Sequence, residues 1–418
     1  MTRAAACFFI ITFVVLATCP SPGYSVLTHE QIVDFLWNSD IKPILRERFP
    51  NTTPEEFQRA HAFAYGGCLI QDMGYFPGGN KFYSDLVHYV RSGDFVHDMI
   101  LESRDVYELA FALGALAHYV SDITGHPTIN HAVAMRFPKL KKKYGEEVTY
   151  ADDRSSHVQT EFGFDVLEVA KQRYTSQAFH DFIGFEVARD LLDRSFFNVY
   201  GLQLKDVLSD EDRAIGSFRH GVSVWLPRLT QVALITKKKD LESLPNFNPR
   251  TFRFILKRAE YEKEWGSNYY RPGFFSRFLA VIVKIVPKIG PFRALDIKPP
   301  NPETEKMYIA SVERTVSAYR NALHSAGEKD TALADQDLDT GNPTTPGEYK
   351  LADRAYARLL KQLAKENFAT MPPPLQQNVL AFYADLSRPY ETKRHNDDWK
   401  ELLRELDGLK RHTQIAER

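Results

Sequence analysis

Gly114-Ala115-Leu116-Ala117-His118-Tyr119-Val120-Ser121-Asp122-Ile123-Thr124-Gly125-His126-Pro127 is the stretch whose reading decides this chain. From about Asp105 to Thr124, apolar residues recur at a 3.6-residue spacing with few breakers, which predicts one helix. His118 and Asp122 are four residues apart, so they leave that helix on the same face. Phe111 and Ala115 share the face, which aims both polar side chains at an apolar interior. Gly125 and Pro127 predict the helix end, because a proline pushes the residue before it out of the helical region. His126 is then expected on the turn beyond, looking back at Asp122. Two imidazoles and a carboxylate converging in this way form a ligand set for Zn2+. Read alone, the same residues are equally a local His–Asp helix pair worth about 0.2–0.5 kcal/mol.

Working outward, Thr28 to about Arg48 reads as helical with a kink at Pro43. Thr53-Pro54-Glu55-Glu56 is a capping box opening a helix that runs to about Asp72, ahead of Gly74. A short helix is expected from about Phe82 to Arg91. Past Pro127 another follows, Thr128 to about Phe137. Lys139 to Lys143 reads as a solvated connection, and helical patterns resume over Glu146 to Arg173 and Phe179 to Arg194. The second half is helical too but chemically quieter. Its helices are expected over Asp210 to Thr236, Pro249 to Glu264, Phe274 to Val286, Glu303 to His324, Glu348 to Asn367 and Pro374 to Leu386. Gly327 to Gly347 is polar and rich in Asp, Thr and Pro, which predicts a mobile loop, and a charged tail ends the chain. No strand-like alternation appears in the first half and no repeat at a fixed period. The expected class is all-α.

With 418 residues, 44% hydrophobic, the chain can bury one large core or two domains. Its 53 basic residues against 54 acidic ones give no sign of a surface built to wrap nucleic acid. Arg3 followed by the apolar run Ala4 to Ala17 and then Pro20, Pro22 and Gly23 reads as a signal peptide, residues 1–23, cleaved after Gly23 or Ser25. The expected location is therefore secreted or periplasmic. Cys7 and Cys19 fall in that segment, so the mature chain keeps Cys68 alone and has no internal disulfide. The expected organisation is a helical body over 24–240 and a C-terminal helical region over 241–418.

Eight of the 13 histidines lie between His29 and His157, where proportion alone gives about 4. His157 and Glu161 repeat the four-residue spacing of His118 and Asp122 on a second helix. Asp72 ends one helix, His88 lies on the next, and His29 stands near the start of the mature chain. Helix bundles assemble metal sites from such carboxylates and imidazoles pointing inward. His61 and His97 match no element of this pattern, His131, five past His126, is an alternative ligand ranked below it, and Cys68 reads as a small buried residue.

In their order these residues resemble the zinc-dependent phospholipase C group, with its relatives glycosylphosphatidylinositol-specific phospholipase D and the zinc-dependent single-strand nucleases. The resemblance covers about residues 24 to 200. It rests on Leu27-Thr28-His29-Glu30-Gln31-Ile32, on Ala64 to Asp72, on His88, on His118 to His126, and on His157 to Asp165. It implies a multi-helix bundle holding two or three Zn2+ ions. Asp72, His88, His118 and Asp122 would hold one, and His126, His157 and Glu161 a second. Asp122 would bridge to a third, shared with His29 and the mature amino terminus. Asp72 is also implied as general base. Tyr24 stands where the family usually begins with tryptophan, and the nuclease branch's Asn-Leu-His-x-x-Trp-Asp element has no match.

The resemblance implies phosphodiester hydrolysis, with a phospholipid as the expected substrate. The alternatives are a nuclease on the same scaffold and a non-catalytic metal-binding surface protein. A monomer is expected, without a specific nucleic-acid surface. The apolar segment Phe274 to Val286, punctuated by Arg277 and Lys284, is too short and charged to span a bilayer. It is either a peripheral membrane contact or a helix buried against the bundle.

Overall fold

The computed structural model describes residues 25–171, 186–222, 232–233, 236–242, 297–327 and 332–416. Helix α1 (Val26–Leu36) passes through a π turn, Trp37–Ile41, into α2 (Lys42–Arg48), so the break comes ahead of Pro43 rather than at it. The helix α3 (Pro54–Gly67) opens on the expected box: Glu56 N–H donates to Thr53 Oγ1 at 3.2 Å and Thr53 N–H to Glu56 Oε2 at 2.8 Å. It stops at Gly67, and Asp72 sits on a separate 3-10 turn, Ile70–Tyr75, rather than on the helix end. Then follow α4 (Lys81–Tyr89) and α5 (Ser92–Glu102), the second of which the periodicity did not separate.

Asp105 caps the long helix α6 (Val106–Arg136), accepting from Tyr107 N–H and Glu108 N–H at 2.9 Å each. This overturns the expected end at Gly125: the helix runs straight through Gly125 and Pro127. A proline inside a helix removes one backbone donor, here the one that would reach the Ile123 carbonyl. The surroundings compensate. Val120, Gly125, His126 and Ile129 are buried, so ending the helix would give up a fully packed turn. The backbone of Gly341, at φ +70°, closes on that same Ile123 carbonyl so tightly that a Cβ there would lie 2.3 Å from it.

Beyond α6 come α7 (Pro138–Tyr144), which takes the lysine run into a short helix with no buried residue, and α8 (Arg154–Ala170). Helices α9 (Arg189–Tyr200), α10 (Leu204–Leu208), α11 (Glu211–His220) and α12 (Lys238–Glu242) follow. In the C-terminal part, α13 (Pro302–Gly327) lies along α6, with Tyr319 Oη donating to the Leu113 carbonyl at 2.8 Å and the Thr124 and Thr315 hydroxyls 2.7 Å apart. Then α14 (Lys350–Lys365), α15 (Pro373–Phe382) and α16 (Asn396–Ala416) complete the described chain, the last of them where a charged tail was expected. One apolar core runs from Val26 on α1 to Leu409 on α16. Among the described residues the fold is all-α apart from a short antiparallel ribbon, β1 (Gln336–Asp337) with β2 (Asn342–Pro343).

That ribbon corrects the reading of 327–347 as a mobile loop. Over its described part, from residue 332, the segment is strapped across α4, α5 and α6 by named bonds. Ser92 Oγ donates to the Gln336 carbonyl at 2.6 Å, and Leu338 N–H to the His88 carbonyl at 3.2 Å. Tyr119 Oη donates to the Ala334 carbonyl at 2.7 Å. Arg91, the N-cap of α5, is left-handed and offers no capping side chain. Asp335 Oδ1 takes that role, accepting from Gly93 N–H and Asp94 N–H at 3.1 Å each. The signal segment 1–23, the expected helices over 249–264 and 274–286, and the start of the one expected at Phe179 lie outside the described residues.

Candidate metal centre

The continuous α6 places His118, Asp122 and His126 on one stripe, each one turn further along. All three are fully buried, as are His29 on α1, Asp72 on its 3-10 turn, His88 on α4 and His157 on α8. Two groups among the described residues bring one ligand atom from each member to within 4.8 Å of one another: Asp72 with His88 and His118, and His29 with His118 and Asp122.

In the first group the tautomers are set by the backbone. His88 Nδ1 donates to the Ser84 carbonyl at 2.8 Å and His118 Nδ1 to the Cys68 carbonyl at 2.9 Å. Both Nε2 atoms therefore turn inward as acceptors, and they face each other at 3.4 Å. Carboxylate oxygens complete the ring: Asp72 Oδ1 is 3.5 Å from His88 Nε2, and Asp122 Oδ2 is 3.6 Å from His88 Nε2 and 3.2 Å from His118 Nε2. Four acceptors so placed repel one another unless a positive charge lies among them. For metal–ligand bonds of about 2.0–2.2 Å, a tetrahedral site has edges of about 3.3–3.6 Å. The four measured edges, 3.2–3.6 Å, fit a divalent ion such as zinc.

Asp122 divides its two oxygens. Oδ2 serves the group just described, while Oδ1 stands 3.5 Å from Nε2 of His29, whose ring stacks on His118 at 4.4 Å. The start of α1 is held by α8: Asp165 accepts from Leu27 N–H at 3.0 Å and from Thr28 Oγ1 at 2.8 Å. Burial works against a proton on His118, yet the Asp122 carboxylate beside it, with Asp72 behind, outweighs burial and lifts the imidazole to about 9. His88, desolvated and next to His118, goes the other way and stays well below the usual histidine range. One positive charge is thus demanded by this pocket even when a proton is what supplies it.

The remaining predicted ligands, His126, His157 and Glu161, belong to neither group and lie further along α6 and on α8. His126 and His157 meet edge to face at 5.5 Å, and burial lowers each to about 4, so both are neutral near pH 7. His157 Nδ1 is 2.5 Å from Glu161 Oε1, and its Nε2 is 2.8 Å from Asn130 Oδ1. The Asn130 amide cannot turn, because its Nδ2 donates to the Asp339 carbonyl at 2.9 Å. Nε2 of His157 therefore carries the proton, and its Nδ1 faces the Glu161 carboxylate. His126 does not point at Glu161. Its Nδ1 looks to Asp339 Oδ1, 3.5 Å away.

Asp339 was missed in the sequence, together with the Tyr89 and Tyr349 hydroxyls that both donate to its Oδ2, the first at 2.8 Å. Three aspartates at alternate positions, 335, 337 and 339, were the available signal within the polar stretch. Cys68 is buried and contributes only its carbonyl. His61 pairs with Asp34 at 2.8 Å under Trp37, well accounted for without a metal.

No curated protein and no solved structure matches the chain. Residues 28–210 match the family model described as zinc dependent phospholipase C, a span that takes in every predicted ligand from His29 to Glu161. Over that segment the chain is similar to the zinc-dependent phospholipase C family.

Proposed function

We propose that this chain is an exported zinc-dependent phosphodiesterase that hydrolyses a phospholipid in the manner of a phospholipase C, with two or three zinc ions. The observation that carries this reading is the inward-facing set of Asp72, His88, His118 and Asp122, with both histidines locked through Nδ1 on backbone carbonyls. Bound zinc supplies neutralisation of the phosphate charge and a water whose pKa is lowered toward 7. The protein's own contribution is to hold its ligands rigid and dry. Asp72, buried beside His88, is the carboxylate placed to accept a proton as general base. Asp122, with one oxygen toward each group, supports a bridging role that would include His29.

Export is supported by the apolar N-terminal run and peripheral membrane contact by the Phe274 to Val286 segment, both outside the described residues. Among the described residues no helix is long and apolar enough to cross a membrane. The test is to incubate zinc-loaded and chelated protein with vesicles of defined phospholipids and with single-stranded nucleic acids. Zinc-dependent release of a phosphorylated head group and diacylglycerol is expected. Release of nucleotides instead would favour the nuclease reading, and inert metal-loaded protein would leave a metal-binding surface protein.

A further inference from the structure

Asp339 is fully buried, 129 residues beyond the end of the segment that carries the family pattern, and it arrives at the site on the strap that begins at residue 332. Its two oxygens have different surroundings. Oδ2 accepts from Tyr89 and Tyr349, which orient the carboxylate. Oδ1 has no hydrogen bond and is aimed at His126 Nδ1. Their 3.5 Å separation is too long for a hydrogen bond between them. It lies within the 3.2–3.6 Å range of the four edges in the first group. A buried carboxylate oxygen left without a donor is costly, and in native proteins such an atom calls for an explanation.

We propose that Asp339 Oδ1 is a ligand of the second zinc, with His126, His157 and Glu161, so that the C-terminal strap completes the metal site. This rests on the zinc-hydrolase reading given above. The strap is built to deliver the residue. The Asp339 carbonyl fixes Asn130, which fixes the His157 tautomer, so the same residue orients one imidazole and faces another. Tyr89 and Tyr349 act as outer partners that aim the carboxylate, the arrangement that metal-bound carboxylates show generally.

The test is zinc binding by the full chain, measured as metal content after gel filtration and as affinity in competition with a chromophoric chelator. Wild-type protein should hold at least two ions. Asp339→Asn should weaken one of them by about 100-fold or more, beyond what loss of an outer partner does, and leave the other unchanged. Circular dichroism and urea unfolding would establish that the variant is folded. Equal affinity for every zinc in wild type and a folded Asp339→Asn variant would overturn the proposal while leaving the zinc-hydrolase reading intact. Fewer than two ions in the wild type would overturn both. Asp339→Cys, loaded with Co2+, gives an independent readout: a thiolate on the metal produces a near-ultraviolet charge-transfer band. Wild type is the blank, since Cys68 is buried with its Sγ turned to the Tyr65 carbonyl. A folded, cobalt-loaded Asp339→Cys variant without that band would show that residue 339 does not touch the metal.

Discussion

Replacing Gly114 by alanine should push α6, which carries His118 and Asp122, away from α3, whose C-cap residue Cys68 orients His118. Gly114 on α6 sits against the backbone of α3, where an added Cβ would lie 2.0 Å from the Ala64 carbonyl oxygen and 2.9 Å from Cys68 N. Real Cβ atoms do not come closer than 3.0 Å, so the contact must open by a distance that no rotamer change can supply, because the obstacle is backbone. Overpacking of this kind costs about 3 kcal/mol or more at the upper end of its usual range. The intrinsic preference of a helix for alanine over glycine returns about 1 kcal/mol, leaving a net loss of about 2 kcal/mol. Gly216 on α11 is the matched control: exposed, helical and with nothing within 4 Å of the position a Cβ would take. Gly216→Ala should gain up to about 1 kcal/mol. Urea unfolding of the zinc-free proteins measures both, with m unchanged if only the folded state is affected. Separation of α3 and α6 should also draw the Cys68 carbonyl off His118 Nδ1, so zinc affinity should fall with stability in the Gly114 variant. A Gly114→Ala protein as stable as wild type would refute the close approach of the two helices.

Asp122→Asn should abolish hydrolysis and leave sub-stoichiometric zinc, since one oxygen faces each group; full zinc with full activity would show the centre is misplaced. Zinc affinity should rise with pH between about 7 and 9, because His118, lifted to about 9, must lose its proton to bind metal. A competition titration with no pH dependence across that window would remove His118 from the ligand set. In the metal-free protein the sign is the reverse: the stability His118 gains from Asp122 is fully present below its unfolded value near 6.5 and is lost as pH rises through about 9. Asp165→Ala should cost about 1–3 kcal/mol by leaving the buried Leu27 N–H short of an acceptor, while the Thr28 hydroxyl keeps Tyr308. It should also lower occupancy of any ion that His29 helps hold, which metal analysis at limiting zinc would detect.

How much of the site is legible without coordinates depends on how local its parts are. The His118–Asp122 and His157–Glu161 pairs each lie on a single helix, and a spacing of four residues puts both side chains on one face regardless of what surrounds it. His126 shows where local rules stop. Glycine and proline at 125 and 127 are sound stop signals in an isolated peptide, but here the cost of continuing is outweighed by burial of the surrounding turns. Asp72 also lies off its expected helix: α3 ends at Gly67, and the chain passes through Cys68 and Leu69 into the 3-10 turn Ile70–Tyr75.

Asp339 is the sharper case. A polar, proline-bearing stretch reads as solvated because most of what satisfies its buried carboxylate, Tyr349 apart, lies far away in the chain. Its partners, Tyr89, Asn130 and His126, lie more than two hundred residues away and become available only when α4 and α6 pack side by side. Periodicity, capping and motif order, which act through the chain itself, were enough for the all-α class and the family. Which carboxylate oxygen faces which imidazole, and which nitrogen of each ring is turned inward, was decided by tertiary contacts: the Ser84 and Cys68 carbonyls, the Asn130 amide and the strap that carries Asp339. Hydrogen-bond direction depends on atoms brought together from distant parts of the chain, and no spacing rule contains it.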